Sequence, residues 1–218
     1  MKKFELTSET KIYFGTKLFR IRALVDFSDV KKGDAGGFVE KEENISMSGN
    51  AWVYGNACAS GNACVSGNAW VHGDACVSGN ARVYGNACVS GDACVSGNAC
   101  VSGNAWVHGN AWVSGDAYIS GNACVSGNAW VHGNVCVHGD ACVSGNARVM
   151  WFSKVGSSNG TLTAFLDKYK NTIVTRGCFY GTIKEFRKAV KETHGKTEIA
   201  KQYELLADFI ELRFKGIA

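Results

Sequence analysis

The sequence predicts a mainly β fold. Its middle reads as a parallel β-helix of about six three-sided coils, with a short β cap before it and a small α+β unit after it. Three observations carry this. Glycine recurs at every sixth position from Gly49 to Gly145, giving 17 units without an insertion. Proline is absent from all 218 residues, and glycine is raised to 27. Composition changes on either side of the repeat. Residues 1–47 carry 9 basic and 8 acidic side chains, 48–149 carry 2 and 4, and 150–218 carry 12 and 7. The chain therefore divides into an N-terminal β cap (1–47), a hexapeptide-repeat region (48–149) and a C-terminal hairpin plus two-helix cap or oligomerisation unit (150–218).

The repeat unit is Gly-(Asn/Asp)-Ala-x-Val-(Ser/His/Tyr). The third position is Ala in 16 units, with Val135 the exception, and the fifth is Val in 15, with Ala59 and Ile119 the exceptions. Side chains alternate across a strand, so Ala and Val face one way and their neighbours the other. Gly-Asn or Gly-Asp turns the corner, because both residues tolerate left-handed backbone angles. A strand this short cannot bury its Val alone. Winding three units into each three-sided coil stacks Val on Val and Ala on Ala. It also pairs the backbones as parallel strands. Proline would remove a donor from that ladder. Asn at 13 of 17 corners can stack in amide ladders. At ~4.8 Å per coil, nearly six coils stand roughly 27 Å tall.

An aliphatic residue followed four positions later by a small one is also the consensus of hexapeptide-repeat proteins. The unit resembles that superfamily throughout 48–149, and the resemblance implies a left-handed parallel β-helix. The stretch from Arg22 to Glu40, leading into Gly49–Asn56, resembles the lead-in of YdcK-like bacterial and phage solenoid proteins. The run Gly177-Cys-Phe-Tyr-Gly-Thr182, with the Glu185-Phe…Lys191-Glu-Thr-His-Gly195 segment after it, resembles a tail of phage-encoded proteins of this kind. These likenesses imply the fold and a phage or prophage connection, and assign no activity.

At the ends, Lys11–Phe14 and Leu18–Val25 read as strands. Leu162–Lys168 and Thr172–Thr175 read as a hairpin. Thr182 and Glu185 have capping-box spacing and open a helix with Ile183, Phe186 and Val190 on one face. His194-Gly195 closes it. A second helix is expected from about Glu198 to Phe214, with Ile199, Tyr203, Leu206 and Ile210 aligned. No apolar run is long enough for a membrane span, and the start of the chain lacks a signal core. A cytoplasmic location is expected, in the host cytoplasm if the protein is phage-encoded. No DNA-binding motif occurs.

The slot before each Val points outward. It holds five Trp, nine Cys, Arg82, Arg148 and Tyr118. Sorting units by three places Trp52, Trp70, Cys88, Trp106, Cys124 and Cys142 on one face. Cys58, Cys76, Cys94, Trp112, Trp130 and Arg148 fall on a second. Cys64, Arg82, Cys100, Tyr118 and Cys136 fall on a third. So much apolar surface predicts either subunit packing or ligand binding. Trp52, Trp70, Trp106 and Tyr118 are the expected homo-oligomer interface. Trp112, Trp130 and Arg148, with His132 and Met150 beside them, are the expected ligand site. Indole planes next to a guanidinium suit a nucleotide-like ligand, and a host protein is the other candidate partner.

Disulfides are not expected between in-register neighbours whose Cβ atoms point the same way. No cofactor or metal is implied, since no clustered Cys/His spacing occurs. Asp74 and Asp92 share a corner that could attract a cation. The repeat lacks threonine, which argues against an ice-binding array. A non-catalytic binding scaffold is the leading reading. A CoA-dependent acyltransferase, as many hexapeptide-repeat proteins are, is the alternative. His72, His108, His132 and His138 all occupy the ordinary Ser/Tyr slot, and no loop leaves the coil to build a cleft, so no residue is assigned a catalytic role.

Overall fold

The computed structural model describes residues 2–144, 149–167 and 169–215. Between Trp52 and Val143, sixteen two-residue strands recur at the repeat period and stack into three parallel ladders. Up to Cys124–Val125, each strand pairs in register with the third strand after it, one coil on, as Cys88 pairs with Trp70 below and Trp106 above. Arg148 apart, which lies outside the described residues, the three ladders contain the side chains assigned to the three faces from the sequence. Inside, the Ala and Val positions are almost wholly buried and form one continuous core. The corners need glycine. Gly85 sits at φ +71°, and a Cβ there would meet the backbone nitrogen of Gly103 at 3.0 Å.

The hydrogen-bond ladder has a direction. Each coil donates its N–H groups to carbonyls of the next, as Trp70 N does to Ala87 O at 2.9 Å. The first coil therefore has carbonyls with no coil below them: the backbone N–H groups of Phe38, Glu40 and Ser46 meet those of Ala57, Ala59 and Val65, and two side chains supply further donors. Lys3 Nζ donates to Ala51 O at 2.9 Å. Asn44 Nδ2 donates to Ala63 O at 2.9 Å and to Gly61 O at 3.1 Å. Burial holds the Lys3 ammonium down to about 8. At the corners, Asn50, Asn68, Asn86, Asn104 and Asn122 each donate a side-chain amide to the next residue up. This ladder of amides ends on the carboxylate of Asp140.

At the N-terminus, β1 (Phe4–Tyr13) and β2 (Thr16–Ala23) form an antiparallel hairpin, and β3 (Ala35–Val39) pairs with β2. The β3 strand then joins the solenoid, pairing parallel with Cys58–Ala59. Parallel pairing thus begins at Phe38, ahead of the first repeat glycine.

This N-terminal segment corrects one expectation. Trp52 is not an exposed interface residue. It is fully buried, with Phe4 and Phe27 packed edge-on at 5.8 and 5.3 Å. The outward slot of the first unit is covered because the preceding chain folds back over it.

The C-terminal residues form a four-stranded antiparallel sheet from Met150–Val155, Gly160–Leu166, Thr172–Arg176 and Phe179–Thr182. Lys168, the last residue of the expected hairpin strand, lies outside the described residues. One side of the sheet sends Phe165 and Ile173 into the end of the solenoid core. The other packs Leu162, Ala164 and Val174 against two helices, α1 (Ile183–His194) and α2 (Glu198–Phe214). The Thr182–Glu185 capping box opens α1, and Gly195 at φ +58° ends it. Arg187 on α1 ties the helices together through Glu204, Asp208 and Glu211 of α2. No helix among the described residues is long and apolar enough to cross a membrane.

Candidate functional site

The second face divides into a covered half and an open half. The β1–β2 hairpin lies over its first coils, where Leu18, Phe38, Cys58 and Cys76 form a small buried cluster edged by Tyr13 and Cys94. Cys58 and Cys76 are therefore not outward-exposed, as the repeat alone predicts, but buried under the hairpin, with Cys76 at its edge. The cover ends at the hairpin turn, where Phe14 takes a left-handed conformation at φ 45° and stands almost fully exposed. Beyond it lies a cleft of about 460 Å³, lined by Tyr13, Phe14, Cys76, Cys94, Asp92 and Trp112 among others.

From that cleft the open half runs toward the C-terminal sheet. Trp112 and Trp130 stack one coil apart, with ring centroids at 6.0 Å and planes inclined by 23°. They are 50% and 65% exposed, so each indole leaves apolar surface open to solvent. The Trp112 Nε1 donates to Ser96 Oγ at 3.3 Å, which fixes that ring's tilt. His132 stands beside Trp130 at 6.4 Å, with its Nδ1 2.9 Å from Ser114 Oγ. Trp151 meets the other side of His132 edge-on at 6.5 Å.

The structure thus brings together Trp112, Trp130 and His132. Arg148, the expected phosphate partner, lies outside the described residues. Met150 packs with the C-terminal cluster instead of beside the indoles, and Trp151 is the aromatic neighbour that the repeat does not disclose. A β-strand presents alternate residues to opposite sides, so the strand that turns Met150 inward turns Trp151 toward His132.

The first face keeps Trp70 and Trp106 exposed, and the third keeps Tyr118 exposed. On the first face two thiol–imidazole pairs recur with the same spacing. Cys88 Sγ lies 3.5 Å from His72 Nε2, and Cys124 Sγ lies 3.4 Å from His108 Nε2. Burial pushes both thiols up from their ordinary value. The repeat explains the pairing, because the slot after one Val and the slot before the third Val on share a corner one coil apart. The period alone is enough to find it. Burial likewise lowers the His138 imidazole, which packs on Tyr180 at 4.7 Å. The cysteines among the described residues are all free. No group of three or more His, Cys, Asp or Glu converges there to hold a metal.

Comparison with known proteins bears on the repeat. A family described as the YdcK β-solenoid repeat matches residues 60–73, 75–91, 93–109 and 117–133. Over 62 residues the chain is 37% identical to a protein of Escherichia coli (strain K12) named "Uncharacterized acetyltransferase YdcK". That alignment takes in 25% of this chain and 19% of the relative, so the chain matches about a fifth of the relative's length.

Proposed function

We propose that the protein is a non-catalytic binding scaffold that holds a flat, base-like ligand on the Trp112–Trp130 ladder. The carrying observation is the pair of stacked, half-exposed indoles beside an open cleft. Aromatic planes on a rigid sheet cost little to order, and stacking a base on such a ring contributes ~1–3 kcal/mol. His132 and Trp151 close one end of the platform. The exposed Trp70, Trp106 and Tyr118 support a second element of the proposal, a homo-oligomer packed through the other faces. Together with the phage-like resemblance of both ends, the reading extends to sequestering a nucleotide signal or blocking a host defence protein. Heating the purified protein and analysing the released small molecules by mass spectrometry tests the ligand. A nucleotide retained by the wild type and lost from the Trp112→Ala/Trp130→Ala variant supports it. Identical, empty supernatants oppose it. Size-exclusion chromatography with light scattering tests the oligomer, and a clean monomer rejects that part.

One set of observations favours an acyltransferase as the second reading. It comprises the thiol–imidazole pairs and the relative named as an acetyltransferase. Against it, a nucleophilic thiol needs a lowered pKa, whereas Cys88 and Cys124 are raised. The rungs from Trp52 to Val143 also run without an inserted loop. Acetyl-CoA binding by calorimetry, followed by acyl transfer to an amine panel, separates the two readings.

A further inference from the structure

The second face carries a group of nucleophiles that the indole ladder does not use. Cys58, Cys76 and Cys94 stand in consecutive coils, paired in register. Their Cβ atoms leave the sheet in the same direction, and successive thiols are separated by about one strand spacing, ~4.8 Å. That geometry defeats a disulfide, which needs Cβ atoms ~3.8 Å apart and converging. It also defeats a tetrahedral site, which needs four converging donors.

It suits a linear two-coordinate ion. A thiolate–metal bond is ~2.3 Å for zinc, so two such bonds end to end span ~4.6 Å, close to the coil spacing. A thiolate binds a metal roughly at right angles to its Cβ–Sγ bond. Here that direction is the solenoid axis, along which the next thiol lies.

We propose that Cys76 and Cys94, with Cys58 beneath them, form a linear dithiolate site for a soft monovalent cation of the Cu(I) or Ag(I) kind. Soft thiolates select such ions over harder metals. Both residues line the cleft at the hairpin turn, which provides the entry path. Tyr13 and Phe38 wall the ladder and limit water. Binding converts two Cys–SH groups and one M⁺ into an S–M–S bridge of net charge −1 and releases two protons. Lys11 brings one positive charge to the Cys58 end of the ladder, with its ammonium 4.5 Å over the Phe38 ring.

A second stacked pair, Cys124 and Cys142, exists on the first face. The test therefore uses the full-length Cys124→Ser protein as parent, reduced and under nitrogen. Cu(I) is titrated against a competing chelator, and thiolate-to-metal charge-transfer absorbance is followed. The parent should hold Cu(I). Adding Cys76→Ser should weaken binding by more than the ~10–100-fold that losing an outer-shell partner costs, because Cys58 and Cys94 are two coils apart and cannot be bridged. Adding Cys100→Ser, whose stacked neighbours are Arg82 and Tyr118, should leave binding unchanged. X-ray absorption on the Cu(I)-loaded parent should show two sulfur ligands, a readout that does not depend on the Cys76 variant folding. Equal losses for Cys76→Ser and Cys100→Ser, no Cu(I) held by the parent, or nitrogen and oxygen ligands at the ion would each overturn the proposal.

Discussion

Trp52 and Trp70 occupy the same slot one coil apart, yet Trp52 is fully buried and Trp70 is 36% exposed. The difference is made by Phe4 and Phe27, which the N-terminal segment lays against Trp52. Indoles with identical repeat positions should therefore carry very different energies. Trp52→Ala should cost ~3–5 kcal/mol, in the range of buried aromatic truncations. Trp130→Ala, 65% exposed in the same slot, should cost under about 1 kcal/mol. Urea unfolding of the two variants decides this, and equal midpoints would contradict the packing described here.

Lys3 substitutes for the absent coil below the first rung. Lys3→Met should leave the Ala51 carbonyl without its donor and cost ~1–3 kcal/mol. The effect should depend on pH. The folded pKa is about 8 against an ordinary 10.5, so between those values the unfolded chain binds more protons. Wild-type stability should then rise with pH across that window as the buried charge is relieved, and be lowest below pH 8. The gap between wild type and Lys3→Met should widen from pH 8 to 10.5, as measured by denaturation at each pH.

Corner chemistry separates into a backbone part and a side-chain part. Gly85→Ala forces a side chain into a left-handed angle and against Gly103, so it should cost at least ~1–2 kcal/mol. Asn86→Ala removes two exposed amide hydrogen bonds of the ladder and should cost under about 1 kcal/mol. Thermal unfolding ranks them, and the reverse order would show that the amide ladder dominates.

The period of six was enough to read the three ladders, the identity of each face and the inward Val and Ala, because every unit experiences the same neighbours. The helix limits of α2 and the Thr182 cap were legible for a local reason: a cap and an apolar stripe are sequence-near signals. The burial of Trp52, Cys58 and Cys76 was not legible. It depends on where a hairpin much earlier in the chain folds, and no periodicity reports that. Trp151 escaped because it lies just past the repeat, where the alternation restarts in a longer strand. The cleft at Phe14 likewise follows from the hairpin's length relative to the face it covers.

The most direct test of the central claim is calorimetric titration with a panel of purine and pyrimidine nucleotides. It would use the wild type, Trp112→Ala/Trp130→Ala, and a Trp70→Ala/Trp106→Ala control. At ~1–3 kcal/mol of stacking per ring, losing both rings of the first pair should weaken binding by roughly 30-fold or more, and the control pair should not. Wild-type affinity in the Trp112/Trp130 variant, or no binding of any nucleotide by the wild type, would contradict the account.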